Sequence, residues 1–190
     1  MIIKNLVLKN RSYRRFYEEI SVTEETLREL IDLARNTAST VNSQALKYKL
    51  VCNTDENKKV FETLSWAGLL KDWPGPSEGE RPSAYIIVLC DLSLGSNKYH
   101  DEGIAVQTML LGAVEKGLGG CMFGSINRKK LAENFSIDLE KYSIDLVVAL
   151  GKPKETVEIV DLPENKSTAY YRDNNGIHYV PKRSLDEIIL

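Results

Sequence analysis

The sequence is poor in the residues that most protein-borne chemistries require. Two histidines, His100 and His178, occur in 190 residues. There is no HExxH pattern, so a histidine-built zinc site is excluded, and each histidine reads as structural or exposed rather than catalytic. Cysteine is almost as scarce. Cys52, Cys90 and Cys121 are far apart and odd in number. That excludes a disulfide frame and a CxxC-type metal site, and it fits a reduced compartment in which thiols act as small apolar fillers. No GxSxG elbow occurs. Gly151-Lys152 lacks the flanking residues of a phosphate-binding loop. Gly117-x-Gly119 has Met122 where a dinucleotide fingerprint needs its third glycine, and it follows a predicted helix rather than a strand. Apolar runs long enough to span a bilayer are missing, and the start MIIKNLVLKN has no signal-peptide pattern. We therefore expect a cytoplasmic protein without a membrane span. The net charge of −2 offers no global attraction to nucleic acid or anionic membrane, so any basic site must be local. An enzyme with this inventory would leave its chemistry to a bound cofactor.

What is present fits one globular domain, residues 1–190, with a C-terminal arm from about residue 168. The chain is organised around residues 101–125. Residues 104–114 are apolar on nearly every side, interrupted by Gln107 and Thr108, and a helix of that kind belongs in a core. Asp101 is its expected N-cap, and Gly117 with Gly119 can supply the left-handed turn that ends it. The small residues that follow either let backbone approach a flat ligand closely or simply turn into a strand.

Residues 2–8 alternate weakly and predict an edge strand or an arm. A helix runs to Arg35 from a cap at Ser21 or Thr23, with Leu27, Leu30, Ile31 and Ala34 at helical spacing and Ser21-x-x-Glu24 as a capping box. Strands are expected at 48–52, 84–90 and 144–150, and helices from Thr54 or Asp55 and after Asn127. The polar stretch 154–168 reads as a connection. Residues 170–180 read as a hairpin around Asn175-Gly176, and Ser184 as the cap of a last helical turn. Residues 65–82 hold two tryptophans, three prolines and three glycines, the composition of a lid or of a long loop packed on the domain.

Two polar stretches carry the functional alternatives. Arg11, Ser12, Arg14 and Arg15 form either a solvated basic turn or an anion clamp, since guanidinium forks and hydroxyls match phosphate oxygens. Residues 37–44 are a solvated connection, or a loop whose Asn and Gln amides meet the edge of a heteroaromatic ring.

Taken together, these segments resemble the nitroreductase family of FMN-dependent oxidoreductases, from Asn10 to Leu190. The resemblance rests on Arg11-Ser12-x-Arg14-x-Phe16, on Ser39-x-x-Asn42-x-Gln44, and on the apolar helix closing in Gly117-Leu118-Gly119 with the turn to Ser125. A fourth landmark is Ala149-Leu150-Gly151-x-Pro153 together with Pro181-Lys182-Arg183. It implies an α+β fold with a mostly antiparallel central sheet flanked by helices, assembled as an intertwined homodimer with FMN at the interface. By position, Arg11, Ser12 and Arg14 would hold the flavin phosphate and ribityl chain, joined by Lys182 and Arg183. Asn42 and Gln44 would lie near the ring, with Ala38, Ser39 and Thr40 reaching it from the partner subunit. Phe123, Gly124 and Ser125 would lay backbone against the reactive edge. The implied function is hydride transfer from NAD(P)H through the flavin to a nitroaromatic, quinone or similar small acceptor by a ping-pong mechanism, without a catalytic side chain. The alternatives are a flavin-binding protein with little turnover, or a specialised flavin enzyme such as a dehalogenase. The sequence departs from the family pattern at Asn10, where many relatives carry a second arginine, and at Ala45, where a proline is usual. It also lacks the family's Asn-x-x-Lys pair.

Overall fold

A computed structural model describes residues 2–94 and 100–190. The elements follow in the order α1 (Ile2–Lys9), β1 (Phe16–Tyr17), α2 (Glu24–Arg35), β2 (Leu46–Val51), α3 (Thr54–Phe61), β3 (Ala84–Asp91) and α4 (Asp101–Glu115). They continue with β4 (Gly119–Phe123), α5 (Arg128–Phe135), β5 (Tyr142–Pro153), β6 (Val157–Asp161), β7 (Tyr171–Arg172) and β8 (His178–Lys182). The fold is α+β, as the resemblance implies.

β5 is the hub of the main sheet. It pairs antiparallel with β3, β4 and β1, and β2 extends the sheet beyond β3. Every residue of β3 is buried because both faces of the sheet are covered. On one face α2 and α4 pack Leu27, Leu30, Val106 and Met109 against Ile86, Val88, Val148 and Leu150. On the other, Val60 of α3 and Leu131 of α5 pack on Tyr85, Ile87, Val147 and Ala149. This is why 84–90 and 144–150 read as continuous apolar runs rather than alternating ones. Each fully buried side chain such as Met109 contributes about 1.5–3 kcal/mol.

The caps are local chemistry. Thr23 Oγ1 accepts from Thr26 N at 3.2 Å, and Asn127 Oδ1 from Lys130 N at 3.1 Å. The Ser21 capping box does not form, because Thr23 occupies the cap position. At the end of α4, Gly117 has φ +70°. Its N–H reaches Val114 O at 3.0 Å, and Leu118 N reaches Ala113 O at 2.8 Å, the paired bonds that close a helix through a left-handed residue.

Several expectations need correction. Residues 2–8 form a helix, α1, not a strand; apolar residues at 3, 7 and at 2, 6 sit one helical turn apart. Asp101 is the first residue inside α4, not its cap, and its carboxylate is used elsewhere. α4 is not buried all round, since Ile104 is 41% exposed. The 154–168 connection contains β6, which pairs in parallel with β8. The hairpin forms as expected, with Tyr171 opposite Tyr179, Arg172 opposite His178 and Gly176 at φ +81°. After Ser184 the chain makes hydrogen-bonded turns rather than a helix.

Residues 65–82 are stapled down. Trp66 is buried against Phe123, ring centroids 4.6 Å apart, with Phe61 and Trp73 as further ring neighbours. Gly75, at φ +121°, lies so close to the Trp66 ring that a Cβ there would stand 2.9 Å from Cδ1. Glu80 takes two bonds of 2.6 Å from the Arg15 guanidinium and one ion pair of 3.1 Å from Lys154. Arg15 first, and Lys154 with it, hold the Glu80 carboxyl down to about 2.

Candidate functional site

The clamp residues converge. Arg11, Ser12, Arg14 and Lys182 line one cavity of about 290 Å³, joined by Asn10, Gln107, Leu110, Gly120, Tyr170 and His178. Its walls come from the segment after α1, from α4, from β4 and from the C-terminal hairpin. The Ser12–Tyr13 backbone is held on β4 by a bridge between Ser12 and Gly120 and by Tyr13 N donating to Gly120 O at 3.0 Å. Gly120 must be glycine for this, because an added Cβ would meet Leu110 Cδ2 at 2.7 Å and the backbone of Ala149. Arg11 Nη2 donates to Val7 O at 2.9 Å, satisfying a C-terminal carbonyl of α1. The Arg14 guanidinium lies 4.9 Å from the centre of the Tyr170 ring.

Beneath this wall sits Glu155, a residue with no motif to announce it. Its side chain is 1% exposed. Oε1 accepts from the backbone N–H groups of Arg14 and Arg15, and Oε2 from Arg172 Nη2 at 2.8 Å. One buried carboxylate thus fixes the clamp backbone and the hairpin that closes over it. His178 is the other residue that sequence reasoning undervalued. It is 1% exposed and packs its ring 5.2 Å from Tyr170. Burial first, and then Arg14 and Arg172, push its imidazole down to about 4, so it is neutral at pH 7. No spacing pattern marks either residue, and only the tertiary pairing of β6, β7 and β8 reveals them.

The donor set suits an oxyanion. Arg11 Nε and His178 Nδ1 are buried without a hydrogen-bond partner among the described residues. A buried donor such as the Arg11 Nε–H is costly unless something accepts from it, and the His178 nitrogen needs a partner as well. With Arg14, Lys182 and the Ser12 hydroxyl, the wall fits the phosphate end of FMN. The volume is at the lower edge of the ~300–1,000 Å³ usual for ligand pockets, enough for the phosphate and ribityl chain rather than a whole flavin.

The remaining candidates lie elsewhere on this chain. Ala38, Ser39 and Gln44 line a separate cavity of about 170 Å³ with Tyr48, Asp101 and Ala105. Thr40 is anchored there, its N–H and hydroxyl donating to Asp101 at 2.9 and 2.8 Å. The loop is strained, with Val41, Asn42 and Gln44 all at positive φ. Asn42 is exposed, and its carbonyl accepts from Gln44 Nε2 at 3.4 Å. Phe123 is buried on Trp66, and Gly124 and Ser125 are exposed at the end of β4, none of them lining the clamp cavity. Arg183 is exposed just beyond β8, outside that lining as well. On one chain the phosphate-type group and the ring-type groups are therefore apart. Among the described residues no cluster of His, Cys, Asp and Glu could hold a metal ion, and no helix is long and apolar enough to cross a membrane.

Comparison with known proteins agrees with this architecture. A protein proposed to be a nitroreductase, solved in complex with FMN, from Desulfovibrio desulfuricans is 20% identical, with a TM-score of 0.71 over 100% of this chain and 95% of its own. One assigned as an NAD(P)H:FMN oxidoreductase from Staphylococcus epidermidis is 18% identical, with a TM-score of 0.69 over 85% and 92% of the two chains. An FMN-dependent nitroreductase from Clostridium difficile R20291 is 19% identical, with a TM-score of 0.65 over 79% and 87%. No curated protein matches the sequence significantly. The family model described as Nitroreductase family matches residues 7–87 and 95–152, most of the chain, and the protein belongs to that family.

Proposed function

We propose that this protein is an FMN-dependent oxidoreductase that oxidises NAD(P)H and reduces a small organic acceptor. The observation that carries this reading is the convergence of Arg11, Arg14 and Lys182 on one cavity whose wall holds an unpartnered buried Arg11 Nε, in a chain of the nitroreductase family. The FMN complex and the FMN-dependent activity named for two of the structural neighbours support the same cofactor. When bound, FMN supplies two-electron redox chemistry, and NAD(P)H and the acceptor, a nitroaromatic or a quinone, take turns at one place. This chain's residues bind and orient. Arg11, Arg14 and Lys182 neutralise the phosphate, Ser12 donates its hydroxyl, and the neutral His178 imidazole offers one further nitrogen. No side chain is required as a general acid or base.

The protein acts as a homodimer in this reading. Ala38, Ser39, Thr40, Asn42 and Gln44 of one subunit meet the flavin ring held by the other, which accounts for their separation from the clamp. Support comes from the apolar side chains left open at Ile2 (77% exposed), Val41 (87%) and Ile104 (41%), which a partner subunit would cover. Phe123, Gly124, Ser125 and Arg183 would complete the site, and the cytoplasm is the compartment consistent with three cysteines that form no disulfide with one another.

The test is spectroscopic. The purified protein, given excess FMN and then freed of unbound flavin, should keep a flavin band that NADH or NADPH bleaches and an added quinone restores. Initial rates should give parallel double-reciprocal lines. A retained band that neither nucleotide bleaches would leave a flavin-binding protein without turnover. No retained band would remove the function altogether.

A further inference from the structure

A second built cavity lies away from the clamp, between α3 and the start of β3. It encloses about 110 Å³ and is lined by Asn57, Phe61, Arg81, Ser83 and Tyr85, with Glu18 and Cys52 among its neighbours. Four of these residues present a buried polar atom with no partner among the described residues: Asn57 Oδ1, Arg81 Nε, Ser83 Oγ and Tyr85 Oη. Tyr85 is 0% exposed and Ser83 7%. An orphaned buried polar group costs about 1–3 kcal/mol, and four on one small cavity mark it as built for an occupant.

The geometry says which kind. Asn57 Nδ2 donates to Ser83 O at 2.8 Å, which fixes the amide and leaves Oδ1 as a committed acceptor. The Arg81 guanidinium lies 4.5 Å from the centre of the Phe61 ring, and the nearby Glu62 carboxylate feels its charge but is hydrogen-bonded to Lys130 instead. Glu18 does not serve it, because Glu18 Oε2 accepts from the backbone N–H groups of Gly79 and Arg81 at 2.6 and 3.2 Å. A guanidinium with an unmet, buried Nε–H calls for a carboxylate. The Ser83 and Tyr85 hydroxyls can donate to the same anion. Asn57 Oδ1 calls for something else, a donor on the ligand. The cavity holds roughly four water volumes at ~30 Å³ each, which limits the ligand to about five non-hydrogen atoms.

We infer that this cavity binds a small carboxylate carrying an adjacent hydroxyl or amino group, the carboxylate on Arg81, Ser83 and Tyr85 and the donor on Asn57. The inference does not depend on the flavin, whose clamp is built from different residues. Tyr85 pairs with Ala149, and Ala149 with Cys121 on the clamp cavity. One wall residue of each cavity therefore stands on the same row of the sheet, with backbones about 10 Å apart, two strand spacings.

The experiment is isothermal titration of the purified full chain with glycolate, with acetate and inorganic phosphate as comparisons and FMN titrated in parallel. Glycolate should bind saturably and more tightly than either comparison. Tyr85→Phe keeps the packed ring and removes the hydroxyl, and Arg81→Met keeps the stem over Phe61. Each should weaken glycolate by at least about tenfold and leave FMN binding unchanged. Should either variant fold poorly, Ser83→Ala, judged by circular dichroism first, removes one donor to the carboxylate at little cost in volume and should weaken glycolate in the same direction. Loss of binding in these folded variants supports the site. Absence of saturable glycolate binding to the wild type, or binding that the variants leave untouched, overturns it and assigns the cavity to water. Absence of FMN binding to the wild type, with glycolate binding intact, would instead count against the flavin reading.

Discussion

Arg172 Nη2 donates to Glu155 Oε2 at 2.8 Å, and this one ion pair joins the C-terminal hairpin to the segment that carries Arg11 and Arg14. Glu155 is nearly inaccessible, with its side chain 1% exposed against 16% for Arg172. Its other oxygen takes the Arg14 and Arg15 amides. Removing the carboxylate would leave a buried guanidinium and two amides unmet. Glu155→Ala should cost about 3–5 kcal/mol, read as a lower denaturation midpoint, and Glu155→Gln should recover part of it while still weakening FMN.

The clamp itself should act through charge. Arg11→Ala or Arg14→Ala each removes charge-assisted bonds of about 1.5–3 kcal/mol. Each should weaken FMN by about one to two orders of magnitude and leave riboflavin, which has no phosphate, nearly unaffected. Fluorescence titration of both flavins checks this. Equal losses for the two would remove the phosphate assignment.

His178 gives a dependence on acid. Its folded-state value, about 4, lies below the 6.5 of a free imidazole, so the fold favours the neutral ring. The stability this confers is complete above pH 6.5 and is lost as pH falls toward 4, by about 2–3 kcal/mol for the full change. Thermal melts of the flavin-free protein across that range should show the drop, and His178→Gln should flatten it.

Gly120 should tolerate no side chain. Gly120→Ala sets a methyl against Leu110 and the Ala149 backbone and should destabilise by about 1–3 kcal/mol. Because Tyr13 N bonds Gly120 O, the variant should also lose FMN affinity, which equilibrium unfolding and a flavin titration would separate.

Asp101 holds the strained loop at 39–44 through Thr40. Asp101→Ala frees that loop and should raise KM for both substrates while leaving the FMN phosphate contacts in place, so that cofactor affinity falls by less than in the Arg14 variant.

How far these features could be read from the chain depends on whether their signals are local. The caps Thr23 and Asn127 and the left-handed Gly117 act over three or four residues, and they are legible. The apolar runs at 84–90 and 144–150 declare burial but not their neighbours. Arg11, Ser12 and Arg14 are legible because they stand within four positions of one another, and Lys182 by resemblance alone. β6 was hidden because Val157–Asp161 is flanked by charge and its partner β8 lies about twenty residues on, in a parallel register no turn can announce. α1 was misread because it buries none of its residues, so its pattern lacks the contrast between two faces. Glu155 and His178 act singly, through tertiary placement, and a lone residue carries no spacing.

The position of β5 bears on how the protein is made. The first arginines of the clamp are synthesised early, and beyond the local bond from Arg11 to Val7 their supports arrive late: Gly120 on β4, Lys152 and Pro153 opposite β1, Glu155, and the hairpin to Lys182. Pairings so distant in sequence form slowly. A nascent chain that stops before Glu155 lacks the carboxylate that holds the Arg14 and Arg15 amides and the hairpin that closes the cavity. Cofactor loading therefore follows synthesis of the hairpin that ends in Lys182, and a shorter nascent chain would not sequester flavin.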